Sequence, residues 1–116
     1  NMGVVERQQM FAQAAAALIM KAKEMGYEIT LGDAYRHPEV FGKFGEKKGY
    51  GRSRSLHKMR LAIDLNLWKD GEYLASTEAH RPLGEWWESE FSDYDASWGG
   101  HFNDGNHYSF SLWGSR

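Results

Sequence analysis

LAIDLNLW, residues 61–68, alternates Leu61, Ile63, Leu65 and Leu67 with Ala62, Asp64, Asn66 and Trp68. Strand side chains point to opposite faces with a period of two, so this stretch has one continuous apolar face and one face bearing a carboxylate. The apolar face predicts a sheet packed on a core. The other face poses a chemical question, because Asp64 interrupts a leucine-rich strand, where carboxylates are depleted unless paired or bound.

HYSFSLW, residues 107–113, repeats the arrangement, with Tyr108, Phe110 and Leu112 on one face and His107, Ser109 and Ser111 on the other. If the two strands are neighbours, Asp64 and His107 converge on the face turned away from the core. His57, seven residues before Asp64, is close enough to join them. Two imidazoles and one carboxylate around an open fourth position make a hydrolytic zinc site. Such a site also needs a proton acceptor that is not a ligand. Asp104, three residues before His107, is the candidate, aimed inward by a Gly105-Asn106 turn; in NDGN it also fits as a plain turn former. Arg36 is the candidate fixed cation for developing negative charge. A lone histidine in a small domain is usually a surface or hydrogen-bonded residue, and His37 and His80 are assigned that role.

Outward from the two strands, Phe11, Ala14, Leu18, Ala22 and Met25 recur every three or four positions, predicting an amphipathic helix over residues 4–25 stopped by Gly26. YEITLGDAYR, residues 27–36, predicts a half-buried strand carrying Arg36 at its end and closed by Pro38. FGKFGEKKGYGRSR, residues 41–54, has four Gly, five basic residues and no sustained period, which predicts a mobile loop. KDGEY supplies an Asp-Gly turn, and STEAHRPLGEWWESEF predicts a helix capped by Ser76 or Thr77 and interrupted by Pro82.

The 116 residues suit one domain, residues 1–116. An aromatic content of 15% predicts a ring-lined cleft beside the core. A net charge of −2 gives no global reason to expect nucleic acid, although seven of the 14 Lys and Arg fall between Lys43 and Arg60. That segment, with Phe41, Phe44 and Tyr50 as stacking rings, supports only a weak nucleic-acid reading. With no Cys, any transition-metal site must use imidazole and carboxylate. The apolar run FAQAAAALIM is about half the ~20 residues a span needs and lacks secretory features, so neither a membrane anchor nor a signal peptide is expected.

SLHKMRLAID, residues 55–64, resembles the S-x-H-x-x-G-x-A-x-D motif of the LAS-type zinc peptidases, and WGGHFNDGNHYSF, residues 98–110, resembles their W-G-G-x-F-x-D-x-x-H-[FY] motif. DAYRHPE is similar to the family's G-Y-R-x-P-E, so the resemblance covers about two-thirds of the chain. It implies an α+β fold of the Hedgehog and D-Ala-D-Ala peptidase kind: a small antiparallel sheet with helices on one face and a zinc cleft on the other. It implies one zinc per chain, held by His57, Asp64 and His107, with Asp104 as general acid/base. Arg36 would contact substrate or the oxyanion, and Ser55 would support the site or bind substrate.

Two positions depart from the family pattern. Arg60 replaces the usual Gly, placing a cation at the cleft entrance or on the outer surface. His101 stands where phage endopeptidases often have Asp, so it either lines the substrate groove, the preferred assignment, or competes as a ligand.

The function implied is hydrolysis of the peptidoglycan stem peptide, preferentially as a phage endolysin L-alanyl-D-glutamate endopeptidase. The alternatives are a D-Ala-D-Ala carboxypeptidase and a non-catalytic zinc module of the same fold, as in Hedgehog. A monomer is expected, made in the host cytoplasm and acting on the wall after release, with neither nucleic acid nor membrane insertion involved.

Overall fold

The computed structural model describes residues 2–116. Helix α1, Val4–Glu24, buries Phe11, Ala14, Leu18 and Ala22, the apolar stripe its spacing predicts. Gly26, at φ +94°, turns the chain into strand β1, Glu28–Leu31. A single turn of helix, α2, Pro38–Phe41, precedes an irregular segment, and a 3₁₀ turn over Leu56–Met59 leads into β2, Ala62–Lys69. Asp70 and Gly71 both adopt positive φ in a two-residue hairpin to β3, Glu72–Tyr73. Helix α3 is Arg81–Glu90, and short strands β4, Ala96–Trp98, and β5, His107–Phe110, complete the fold.

All strand pairs are antiparallel, in the order β1-β2-β5-β4, with β3 attached to the end of β2. Helix α1 packs on β1, β2 and α3, while α3 packs on β4. Between them lies an aromatic core. Trp87 stacks on Phe110 with centroids 5.5 Å apart, and Phe11 meets both rings edge-on at 5.9 and 5.1 Å. Such pairs contribute ~0.5–1.5 kcal/mol each beyond the area they bury. The fold is therefore α+β, with helices on one face of a small antiparallel sheet.

Several local expectations are corrected. The strand beginning near Tyr27 ends at Leu31, which is 69% exposed, rather than running to Arg36. Beyond it Gly32 approaches Asp64 so closely that an added Cβ would lie 2.9 Å from the Asp64 Cβ. The amide of Gly32 donates to the carbonyl of Asp64, and that of Asp64 to the carbonyl of Asp33, so the chain bends around β2. Pro38 opens α2 instead of closing a strand. Pro82 starts α3 in its first turn, where its missing N–H costs nothing, after a 3₁₀ turn over Glu78–His80. The last strand stops at Phe110, and Trp113 is exposed in left-handed backbone. β4, three residues long, carries no periodic signal of its own and is defined by its pairing with β5.

The loop over residues 41–54 lacks regular elements except the end of α2, yet it is tied down. The Lys58 ammonium is buried and donates to the carbonyls of Lys43, Glu46 and Ser53. Burial, and then the nearby Arg36, lower its pKa.

His80 is 2% exposed and hydrogen-bonded to the Tyr108 hydroxyl at 2.9 Å. Burial lowers its pKa from 6.5 to about 4. The unfolded chain therefore takes up this proton before the folded one does, so the stability His80 confers is complete above about pH 6.5 and falls away toward pH 4. Urea unfolding of wild type should lose about 1–2 kcal/mol more between pH 7 and pH 5 than that of His80→Gln. Equal losses would contradict the assignment.

Candidate metal centre and cleft

In the β2–β5 pair Asp64 is the direct partner of His107, which puts both side chains on the face opposite the helices. His57 comes from the 3₁₀ turn ahead of β2. Ser55 caps that turn, its hydroxyl accepting from the His57 amide. His57 Nδ1 lies 2.8 Å from the carbonyl oxygen of Ala34, which only accepts, so Nδ1 carries the hydrogen and Nε2 presents its lone pair to the centre.

Asp64 Oδ1 is 3.2 Å from His57 Nε2 and 3.4 Å from His107 Nδ1, and the three ligand atoms all lie within 4.8 Å of one another. Metal–ligand bonds of ~2.0–2.1 Å in a tetrahedron place neighbouring donors about 3.3 Å apart, so these separations fit a zinc-sized ion. The donor set fits as well: two imidazoles and one carboxylate, with no thiolate available. Asp64 Oδ1 and His107 Nε2 are buried without a hydrogen-bond partner among the described residues, a costly state for a carboxylate oxygen unless a cation completes it. Burial on its own would raise the Asp64 pKa. His107 and then His57, where they carry a proton toward Asp64, outweigh it and lower the carboxyl to about 2.

His57 and His107 border a cleft of about 500 Å³ that is also lined by Asp104, Ser55 and Phe102, together with Arg36, Arg52, Arg54 and Arg116. Arg36 is anchored. Its guanidinium pairs with Asp33 at 3.2 Å and donates to Ser55 Oγ at 3.1 Å, and its amide donates to the His57 carbonyl. The Tyr50 hydroxyl donates to the same Asp33 oxygen at 2.8 Å, so the loop closes over the Arg36 pair. Asp104 is exposed beside His107. Its amide donates to Gly99, and its carbonyl accepts from the His107 amide at 3.1 Å, one short turn orienting both residues.

Glycine and tryptophan in WGG have a packing reason. Trp98 is buried, and a Cβ at either Gly84 of α3 or Gly100 would collide with its ring. Trp98 Nε1 donates to the Gly105 carbonyl at 2.7 Å, pinning the turn that carries Asp104. A Cβ at Gly99 would lie 2.8 Å from the His107 Cβ.

His101 lies outside the residues lining this cleft. Its Nε2 contacts the Glu88 carboxylate at 2.8 Å, while that carboxylate also accepts from the Trp98 amide. Arg60 sits on the outer surface, its guanidinium 3.9 Å above the Tyr35 ring, at φ +56°. That left-handed backbone explains why glycine suits the position. Arg60→Gly should be neutral or stabilising by up to ~1 kcal/mol, because relief of the backbone cost offsets the lost stacking. Thermal unfolding checks it against Arg60→Val, which should destabilise.

The expected ring-lined cleft is corrected: the rings fill the core, and the cleft takes Phe102 and four arginines. Asp33, Arg52, Arg54, Phe102, Arg116 and the Lys58 tether were not singled out from sequence, and Tyr50 was read there only as a stacking ring of the basic segment.

No curated protein matches the chain. The family model described as D-alanyl-D-alanine carboxypeptidase matches residues 48–110, more than half of the chain, and its span takes in His57, Asp64, Asp104 and His107. The chain belongs to this D-alanyl-D-alanine carboxypeptidase family of zinc peptidases.

Proposed function

We propose that this protein is a zinc-dependent peptidoglycan peptidase of the endolysin type, a single peptidase domain that cuts the stem peptide between L-alanine and D-glutamate. The observation that carries the reading is the charge of the cleft: four arginines line it against one carboxylate, Asp104. A γ-linked D-glutamate keeps its α-carboxylate next to the scissile amide, and further carboxylates follow along the stem. A terminal D-Ala-D-Ala bond presents one terminal carboxylate, a weaker match to a cleft this rich in arginine.

His57 Nε2, Asp64 Oδ1 and His107 Nδ1 are the atoms that would hold the ion. Zinc bound there supplies an acidified water and a polarised carbonyl. Asp104 takes the proton from the attacking water and returns it to the leaving amine. Arg36, kept in place by Asp33 and Ser55, faces the negative charge that develops on the carbonyl oxygen. Ser55 positions both Arg36 and the turn bearing His57.

Asp104→Asn should retain zinc at one ion per chain and lower kcat by ~10²–10⁴. His57→Ala should lose the zinc itself, read by metal analysis of the purified protein. An Asp104→Asn enzyme of undiminished rate would remove the assigned base. Chelation should abolish hydrolysis and added zinc restore it. Digestion of purified sacculi, with new termini identified by mass spectrometry, decides the bond: amino-terminal D-glutamate supports the reading, and release of D-alanine alone overturns it.

A further inference from the structure

Of the four cleft arginines, two are already engaged by the protein. Arg36 is paired with Asp33, and Arg54 donates to the Trp113 carbonyl at 2.7 Å while lying 4.8 Å above the Phe44 ring. Arg52 and Arg116 differ. Both guanidiniums sit over the ring of Phe102, at 5.1 and 5.5 Å from its centroid, and neither has a carboxylate partner among the described residues. The Phe102 ring in turn packs edge-on against His107 at 5.7 Å. One aromatic ring thus carries two cations, both lining the cleft, a single ring away from a candidate metal ligand.

Two like charges converging on one ring repel each other, and cation–π attraction of roughly 0.5–1 kcal/mol each at an exposed site is a weak counterweight. An anion bound in the cleft that both line relieves the repulsion, and planar guanidiniums match a carboxylate's two oxygens. A peptide spans up to about 3.5 Å per residue and the Phe102 ring is 5.7 Å from that of His107, so a chain with its scissile amide at the centre can bring the residue next to that bond within reach of Phe102.

We propose that Arg52 and Arg116, held on Phe102, form a carboxylate clamp that selects stem peptides with a free rather than amidated carboxylate just beyond the scissile bond. The clamp rests on the peptidase reading above and adds a specificity that reading does not require. Because the cations stand ready before binding, a charged substrate gains an ion pair, whereas its amide leaves both guanidiniums unpaired.

The test uses a matched pair of stem peptides that differ only in D-glutamate or D-isoglutamine after the cut bond, with kcat/KM measured for the zinc-loaded full chain. Wild type should prefer the free carboxylate at least tenfold, and the preference should shrink as salt rises. Arg52→Gln should reduce that preference to threefold or less, chiefly through KM, and Phe102→Leu should lower it to an intermediate value by releasing both guanidiniums. Arg52→Lys should retain part of it. A merely structural role for Arg52 would slow both substrates alike and leave the ratio unchanged, which overturns the clamp, as does a wild-type ratio near one. Failure of the peptidase reading is distinct: wild type would then cleave neither peptide.

Discussion

Everything at the candidate centre depends on one cross-strand register, the pairing of Asp64 with His107. Because strand side chains alternate, a slip of one residue between β2 and β5 would turn one of the two into the core and a leucine or tyrosine outward. The register is secured from the helix side, where Tyr108 and Phe110 pack with Trp87 and Phe11. The hydrophobic core and the polar site are two faces of the same pairing. A buried carboxylate oxygen without a hydrogen-bond partner is tolerable in such a place because the aromatic face opposite it holds the strands in alignment.

Around that rigid sheet the other groups are supplied by irregular chain that is nonetheless fastened by charge. Lys58 gathers three loop carbonyls, Asp33 collects Arg36 and Tyr50, and Arg7 of α1 donates to the carbonyls of Tyr94 and Ser111. Cations bonded to backbone oxygens do here what a regular ladder does elsewhere: they satisfy acceptors that loops leave open. The Arg36 side chain is oriented instead by side-chain oxygens, those of Asp33 and Ser55, and the imidazole of His57 by its hydrogen bond to the Ala34 carbonyl.

How much of this was legible from the sequence follows from physical scale. The two-residue alternation of β2 and the three-to-four-residue spacing of α1 are strong local signals, and the oddity of Asp64 among leucines pointed to the centre before any pairing was known. The convergence of His57, Asp64 and His107 was conditional on strand adjacency, which the structure supplies. Features set by long-range contact were not readable. β4 is too short to have a period, and Leu31 looks like a core residue until its strand is seen at the edge of the sheet. The division of the arginines into anchored and unpaired depends on partners far along the chain, such as Trp113 for Arg54.

The seating of Trp98 between Gly84 and Gly100 sets the packing beneath the Asp104 turn apart from the rim of the cleft. That packing leaves no room for change, since even one added methyl at either glycine must push an indole that also holds the Asp104 turn through Gly105. The rim at residues 52–54 lies outside every sheet and helix, so exchanging its side chains disturbs no register. Such a molecule can change the substrate it recognises while its chemistry stays put, drift at the edge being uncoupled from constraint beneath.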